Sequence, residues 1–477
     1  MNRPFDEAKY KALSKGLEIS EVSKEIFLLE NDDFRFDAEF FRKRFLTENS
    51  VRNKFENFLL GRIAFVTDGQ HGYHEVDESS RIHMLTAKNA KYWFADLIDA
   101  VPLAKWVDDN NKRSSLETND IILSTRGSVG FCAIVKPKIL PANIDQDIAR
   151  IKLLTDKILP EFLLAYLNSQ FGQDWMLRNQ TGMVQQGLSL QKVKKLPVPL
   201  LDIIFQKKLK TVIDEAYKIK QESLECYSEA SYILLYELGL QEWSPLQKTI
   251  SFKSFSAFQS SGRLDAEYYL PKYEQIQQKI NAYKNGSILV QSMFRNAAIK
   301  SADSLCKYIE LSDVGTSGEI TGAIEGAFSE LPSRARQRVQ ANDVIVSSVE
   351  GSLSSCALIP PEYDGALCST GFHVLKSDVI NSETLLLLCK SWPIQLLLKQ
   401  RCSGTILTAI SANAIQQISF PLIEEQIQEQ LAEKVQESFA LRQESKRLLE
   451  LAKHAVEVAI EQGEEMALHL LEDEGNA

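Results

Sequence analysis

Several polar, glycine-punctuated stretches hold the side chains best suited to chemistry. One carries Gln70, His71, Tyr73, Arg81, His83, Lys88, Asn89 and Lys91. In the next, Arg126 and Ser128 flank Gly127, with Asn143 and Gln146 further along, and Gln185 and Gln186 stand beside Gly187. Further on come Ser333, Arg334, Arg336 and Arg338, then Ser347 and Ser348, Thr370, and Thr405 and Thr408. These residue types suit one task. Arginine pairs with two acceptors of guanine, and asparagine or glutamine with adenine. Lysine, arginine, hydroxyls and backbone amides hold phosphates. Binding residues concentrate on loops, which is where this composition places them. The chemistry expected is contact with double-stranded DNA.

Catalytic patterns are missing. There is no GxxxxGK[ST] to cradle a nucleotide phosphate and no GxGxxG for a dinucleotide. There is no Asn-Pro-Pro-aromatic or Asp-Pro-Pro-aromatic tetrapeptide to hold a target amine, no HExxH and no GxSxG. Glu444-Ser445-Lys446 has a nuclease-like spacing, but it falls in a long helical pattern, where residues two apart face different ways. His71, His74 and His83 have no accompanying cysteine or carboxylate set to complete a metal site. The expectation is a chain that is not an enzyme and holds no catalytic, cofactor or metal site of its own.

Positioning those loops requires a scaffold, and the scaffold is written twice. Arg35-Phe-Asp-Ala-Glu-Phe-Phe41 recurs as Arg263-Leu-Asp-Ala-Glu-Tyr-Tyr269. Asn119-Asp-Ile-Ile-Leu-Ser124 recurs as Asn342-Asp-Val-Ile-Val-Ser347. Thr181-Gly182 matches Ser403-Gly404, and Leu188-Ser189 matches Ile410-Ser411. Leu196-Pro-Val-Pro199 matches Ile418-Ser-Phe-Pro421, and Lys220-Gln-Glu-Ser223 matches Arg442-Gln-Glu-Ser445. Matches in one order and nearly one register mean an internal duplication of about 220 residues. Gly16-Leu17-Glu18 also resembles Gly239-Leu240-Gln241, at the end of the first long helical pattern. The first copy thus begins with a segment that elsewhere comes just after a long helix. This predicts a cyclic arrangement with the termini near each other.

Each copy has short β-rich runs, then a helix-like stretch (Pro160 to Arg178, or Ser382 to Arg401), then a glycine-containing loop and a proline-marked exit. A long helix closes each copy. Leu209, Val212, Ala216, Ile219, Tyr227, Ala230 and Leu234 form one apolar stripe between about Asp202 and Leu238, broken by Lys220 and Ser223. Leu431, Val435, Leu449, Ala452, Val456, Ala459, Met466 and Leu470 form the other, between about Glu424 and Leu471, broken by Ser438, Arg442 and Ser445. Polar breaks in an apolar seam commonly set pairing. The reading is an α/β (α+β) chain: two globular modules separated by two long antiparallel helices in a coiled coil. The spans expected are 1–200 for the first module with an N-terminal extension, 201–240 for the first long helix, 241–422 for the second module and 423–477 for the second long helix.

Composition agrees with a folded chain of two or three domains. It has 477 residues, 44% hydrophobic and 25% charged. The net charge of -10 speaks against nucleic acid only until its distribution is read. Residues 40–200 hold 22 Lys and Arg against 17 Asp and Glu, whereas 423–477 hold 5 against 14. A DNA-facing surface needs local cations only. The start, MNRPFDEAKYKALSKG, has no apolar signal core, and no run is long enough to span a bilayer. Seven cysteines without CxxC spacing point to reduced thiols. A cytosolic location is expected.

The layout resembles the specificity (S) subunit of type I restriction–modification systems. The resemblance rests on the duplication, on Thr67-Asp-Gly-Gln-His71, on Asn119-Asp-Ile-Ile-Leu-Ser-Thr-Arg-Gly-Ser-Val-Gly130, and on the Pro199 exit into a helix. In the second copy, Pro332-Ser-Arg-Ala-Arg336 and Ser369-Thr-Gly-Phe372 look like target-recognition segments. That copy departs at Val349-Glu350-Gly351, where the first has Arg126-Gly127. The resemblance implies that each module reads one half of a bipartite DNA site. It implies that the helices dock two DNA adenine methyltransferase subunits, with restriction or translocase subunits as further partners. S-adenosylmethionine, and ATP with Mg, would then sit in those partners, and no membrane would be involved. The alternatives are a standalone DNA-binding adaptor of the same fold and a protein-assembly scaffold that binds no DNA.

Overall fold

A computed structural model of the chain describes all residues except 1–5, 18–20, 29–30, 32, 53, 73, 183–186, 249, 301–304, 405–407, 474 and 476–477. Two compact units emerge. The first is made of Met1–Lys218 with Glu444–Ala477, and the second of Ile219–Gln443. The expected boundaries at 200, 240 and 422 therefore shift. Each long helix gives one half to each unit, because each half buries its apolar stripe on a different module. In the first unit Phe205, Leu209, Val212, Ile213 and Ala216 are buried, as are Ala452, Ala455, Val456 and Ala459. In the second, Ala230, Leu234, Leu431 and Val435 join the main core. Residues 444–477 are grouped with 1–218 in the first unit.

The first unit is built on a four-stranded antiparallel sheet in the order Ala64–Asp68, Ile148–Leu153, Ile121–Ser124, Cys132–Ile134. Beside it lies a three-stranded sheet, Val101–Pro102, His83–Leu85 and Ala142–Ile144, whose last two strands are parallel. Residues Ile121–Ser124 are buried throughout, so both faces of this strand are covered and its sequence runs apolar rather than alternating. The second unit repeats the plan: Phe294–Arg295, Phe372–Leu375, Val344–Ser347, Cys356–Leu358 in the same order. Its other sheet gains an edge strand, Ala335–Arg338, next to Leu367–Ser369. Proline-marked exits also repeat, Asn57–Leu59 pairing with Pro197–Pro199 and Ser287–Leu289 with Ser419–Pro421.

Two duplicated motifs receive a physical reason. Asn119 and Asn342 take left-handed backbone, φ 69° and 68°, a conformation asparagine tolerates better than most residues. The next residue, an aspartate, caps the turn: Asp120 Oδ2 accepts the Glu117 amide at 2.8 Å and Asp343 Oδ2 the Gln340 amide at 2.7 Å. In the other motif Arg35 grips Asp37 through two hydrogen bonds of 2.7 and 2.8 Å. Its remaining nitrogen donates to the carbonyls of Arg178 and Gln180, tying down the end of helix Gln170–Asn179. Arg263 and Asp265 repeat the grip at 2.6 and 2.7 Å.

Sequence and structure differ at three places. The helix-like stretch 160–178 is two helices, Pro160–Asn168 and Gln170–Asn179, and 382–401 is likewise Ser382–Lys390 and Trp392–Arg401. Ser169 and Ser391 break them with extended backbone, each hydroxyl donating to a carbonyl of the preceding helix at 2.7 Å. The second long helix stops at Glu461 instead of about Leu471, because Gly463 turns left-handed at φ 107°. Helix Glu464–Asp473 then starts with a new phase, so Met466 is exposed and Ala467 and Leu471 are buried.

Within the second unit the long helices run antiparallel, since Ser223 meets Ser438 and Glu229 meets Lys434 at 2.9 Å. The serines are buried and exchange hydroxyl-to-carbonyl hydrogen bonds, 2.8 Å each way. In the first unit Ser445 does the same to the Ala216 carbonyl at 2.7 Å. The polar breaks are thus points of close helix approach. Ser223→Leu should force the helices apart and destabilise the fold by about 1–3 kcal/mol, the usual cost of overpacking. Chemical denaturation checks this, and Ser223→Ala should cost only about 1 kcal/mol.

A second prediction comes from helix Lys43–Arg52. Glu48 packs against Asp174, and burial first, then the neighbouring carboxylate, pushes its pKa from 4.5 up to about 8. The folded chain therefore keeps a proton that the unfolded chain releases between pH 4.5 and 8, so stability falls as pH rises through that window. Glu48→Gln should melt higher than wild type above pH 8, and the advantage should vanish below about pH 4.5. Melting curves across that range test it.

Candidate nucleic-acid interface

In each unit the loops of interest leave one edge of the four-stranded sheet. Asp68 stands opposite Ala149, and Ser124 opposite Ile148. The exits of two strands and the entrance of the third therefore lie together, carrying 69–71, 125–128 and 145–147. Backbone bonds weld these loops. Gly69 donates to the Asp145 carbonyl at 3.2 Å and Thr125 to the Asp147 carbonyl at 2.8 Å. Arg126 bridges to Gly187, and Leu188 donates to Thr125, bringing in the polar loop that starts at Thr181. Gly69 is required here, since a Cβ would sit 1.8 Å from the Ile144 carbonyl oxygen. Gly127 holds φ 71° and leaves the Arg126 side chain at the rim.

Electrostatics of this edge are mixed. Arg126 is 47% exposed and only loosely paired, Nη1 lying 3.6 Å from Asp147 Oδ1. His71 Nε2 lies 2.9 Å from Asp68 Oδ2, and Arg113 reaches the other oxygen at 3.3 Å. Burial pushes the Asp145 carboxyl up to about 6, against the hydrogen bond it accepts from the Asp147 amide. Arg113, Asp68, Asp145 and Asp147 were not singled out from the sequence. For the three aspartates the only signal was adjacency to His71 or Gln146, and Arg113 had none. Carboxylates among arginines suit base edges better than phosphates, because a carboxylate accepts from the cytosine amino group and repels a phosphate.

The named candidates divide by placement. Gln70, His71, Arg126, Ser128 and Gln146 share this edge, and Gln70 is held by the Asn111 amide at 2.7 Å. Asn89 and Asn143 are each 1% exposed. Asn89 bonds Thr86, Asp96 and Ile98, and Asn143 bonds Asp108 and its own neighbour's amide, so both hold loops in shape. Lys88 and Lys91 are exposed, Lys88 being 3.5 Å from Asp99 and Lys91 lying over the Tyr92 ring. Arg81 and His83 belong to the far end of strand His83–Leu85, away from Asp145. Tyr73, Gln185, Gln186 and Thr405 lie outside the described residues.

In the second unit the same edge gathers Arg334, Ser348, Thr370 and Thr408. The Thr370 amide donates to the Arg334 carbonyl at 2.9 Å, and Ser348 donates to the Gly371 carbonyl at 2.8 Å. Glu350 donates its amide to Thr408 and Val349 bridges to Ala409, reproducing the Arg126–Gly187 contact with no arginine. Ser333, Arg334 and Thr370 are exposed. Ser347 is fully buried, bonded to Ser352, and supports the turn. Arg336 is half-buried over the Phe328 ring, and Arg338 is exposed at the other end of the added strand.

The architecture is therefore a mixed α/β chain of two homologous modules, each with a polar loop edge and each sharing two long helices. No family model matches the chain. Over 122 residues the chain is 30% identical to the type I restriction enzyme EcoBI specificity subunit of Escherichia coli. That match spans 26% of this chain and 26% of the curated relative's length. Solved structures that resemble it include the S subunit of a type I restriction–modification system from M. genitalium, with 13% identity and a TM-score of 0.37 over 85% of this chain and 95% of that one. The HsdS subunit from Thermoanaerobacter tengcongensis matches at 13% identity and TM-score 0.28, over 86% and 97%. The resemblance drawn from the sequence motifs agrees with the 122-residue match to the EcoBI specificity subunit.

Gly69→Ala should push the 69–71 loop off the 145–147 loop. Thermal stability should fall by an amount typical of overpacking, about 1–3 kcal/mol, and hydrogen exchange should speed up at 69–71 and 145–147 while 334–348 stays unchanged.

Proposed function

We propose that the chain is the sequence-specific DNA-binding specificity subunit of a type I restriction–modification complex. The observation that carries this reading is the repeated sheet edge, where Arg126, Gln146 and His71 in one unit and Arg334, Thr370 and Thr408 in the other are presented by welded backbone. Each unit reads one half of a bipartite double-stranded site. The long helices dock two DNA adenine methyltransferase subunits, which hold the S-adenosylmethionine, and restriction subunits with ATP and Mg can join. The chain is not itself an enzyme and works in the prokaryotic cytoplasm. Among the described residues no helix is long and apolar enough to cross a membrane.

Co-purification with a methyltransferase, then mapping of methylated sites, tests the assignment. A bipartite methylated sequence is expected, and absence of any such partner favours the standalone adaptor. Arg126→Ala and Arg334→Ala separate the halves. Each should weaken binding by about 1–3 kcal/mol and relax one base position in its own half only, if the side chain reads guanine. A phosphate contact would instead lower the salt slope by about one with preference unchanged.

A further inference from the structure

The duplication allows one copy to explain the other. In the first unit helix Gln170–Asn179 begins after Ser169, and its first amide, Gln170 N, donates to the Glu457 carboxylate at 2.7 Å. A carboxylate on the long helix thus closes the positive end of that helix. Shifted by the repeat offset of 222, Gln170 becomes Trp392 and Glu457 becomes Leu235. The second copy has therefore lost the carboxylate, and a cavity of about 320 Å³ stands there instead, lined by Tyr227, Leu235, Thr316, Lys390 and Trp392 among others.

Two donors at this cavity lack an acceptor among the described residues. Ser391 turns its hydroxyl back to the Leu388 carbonyl and caps none of the amides of helix Trp392–Arg401, and the Trp392 amide has no acceptor among the described residues. The Tyr227 hydroxyl is buried without a partner. Lys390, half-buried on its side-chain surface, spends one hydrogen bond on the Ser354 carbonyl at 2.8 Å. Burial holds its pKa below the ordinary value. Glu319, whose charge is felt at Lys390 and Tyr227, is paired with Arg442. Leu234, Leu235, Leu387 and the Trp392 ring make the apolar part of the wall, and Ser231, Thr316, Ser354 and Ser391 complete it. In the first copy the Lys390 position is Asn168, whose amide bonds carbonyls, so the cation and the missing carboxylate belong to the same copy.

We propose that this cavity binds a small organic anion, a carboxylate or phosphate on an apolar body, at the Trp392 amide, the Lys390 ammonium and the Tyr227 hydroxyl. The external anion takes the place that Glu457 fills in the first copy. The inference stands apart from DNA recognition, since it uses neither of the loop edges.

Titration calorimetry of the full chain with benzoate and with phenyl phosphate tests it, benzyl alcohol serving as the uncharged control. Saturable binding of at least one anion and none of the alcohol is expected, and the two anions together tell carboxylate from phosphate. Lys390→Met should weaken binding at least tenfold. Leu235→Glu should restore the internal carboxylate, abolish binding and leave the melting temperature equal or higher. No saturable binding of either anion overturns the proposal. So does an affinity left unchanged by Leu235→Glu, a variant that decides the matter even if Lys390→Met fails to fold.

Discussion

Everything the two polar edges do depends on a buried aspartate at the opposite end of the central strand. Asp120 is almost wholly buried, caps the turn set by left-handed Asn119, and meets Arg150 Nε at 2.6 Å. Desolvation raises its pKa, opposed by the turn amide and by the arginine. A buried carboxylate left without its cation is strongly destabilising, so this pair fixes how strand and turn meet. The strand then runs through a dry core and emerges at Ser124, with its loop aimed by the register chosen at Asp120. Asp343 repeats the arrangement, fully buried and bonded to Arg295.

The arginine partners show how the copies keep a constraint while changing its parts. Arg150 comes from the strand beside the central one, whereas Arg295 comes from the strand beyond it. Only the aspartate's need for a cation is common to both, and either strand can supply one. The same latitude appears at the edges. The first copy offers Arg126 where the second has Val349, and the second adds strand Ala335–Arg338, which brings Arg334 to its edge. A scaffold held by buried turns leaves its loops free to differ, so stability and loop chemistry rest on different residues.

Charge tells a related story. A net charge of -10 is compatible with a DNA-facing edge because the acid is collected in the last 55 residues, largely on helices. At the edge itself Asp68, Asp145 and Asp147 temper Arg126, Arg113 and His71. Such a mix disfavours phosphate contacts relative to base-edge contacts, which can use both donors and acceptors.

The sequence alone determined the duplication, the two long helices, their polar breaks and the presence of short β-rich runs in each copy, because these rest on local signals: periodicity, turn residues and repeated words. It also determined which residue types were available for DNA. Tertiary structure decided which of them face outward. Asn89, Asn143 and Ser347 have the right chemistry but spend it on neighbouring backbone, and no local pattern marks a hydrogen bond already used. Arg113 and Asp68, 45 positions apart, meet only because strands pair. The unit boundaries within the long helices were likewise beyond periodicity, since a continuous stripe does not say what covers each half. The loss of a single carboxylate between Glu457 and Leu235 was visible as a mismatch in the repeat, but its meaning required seeing the amide it had been bonded to.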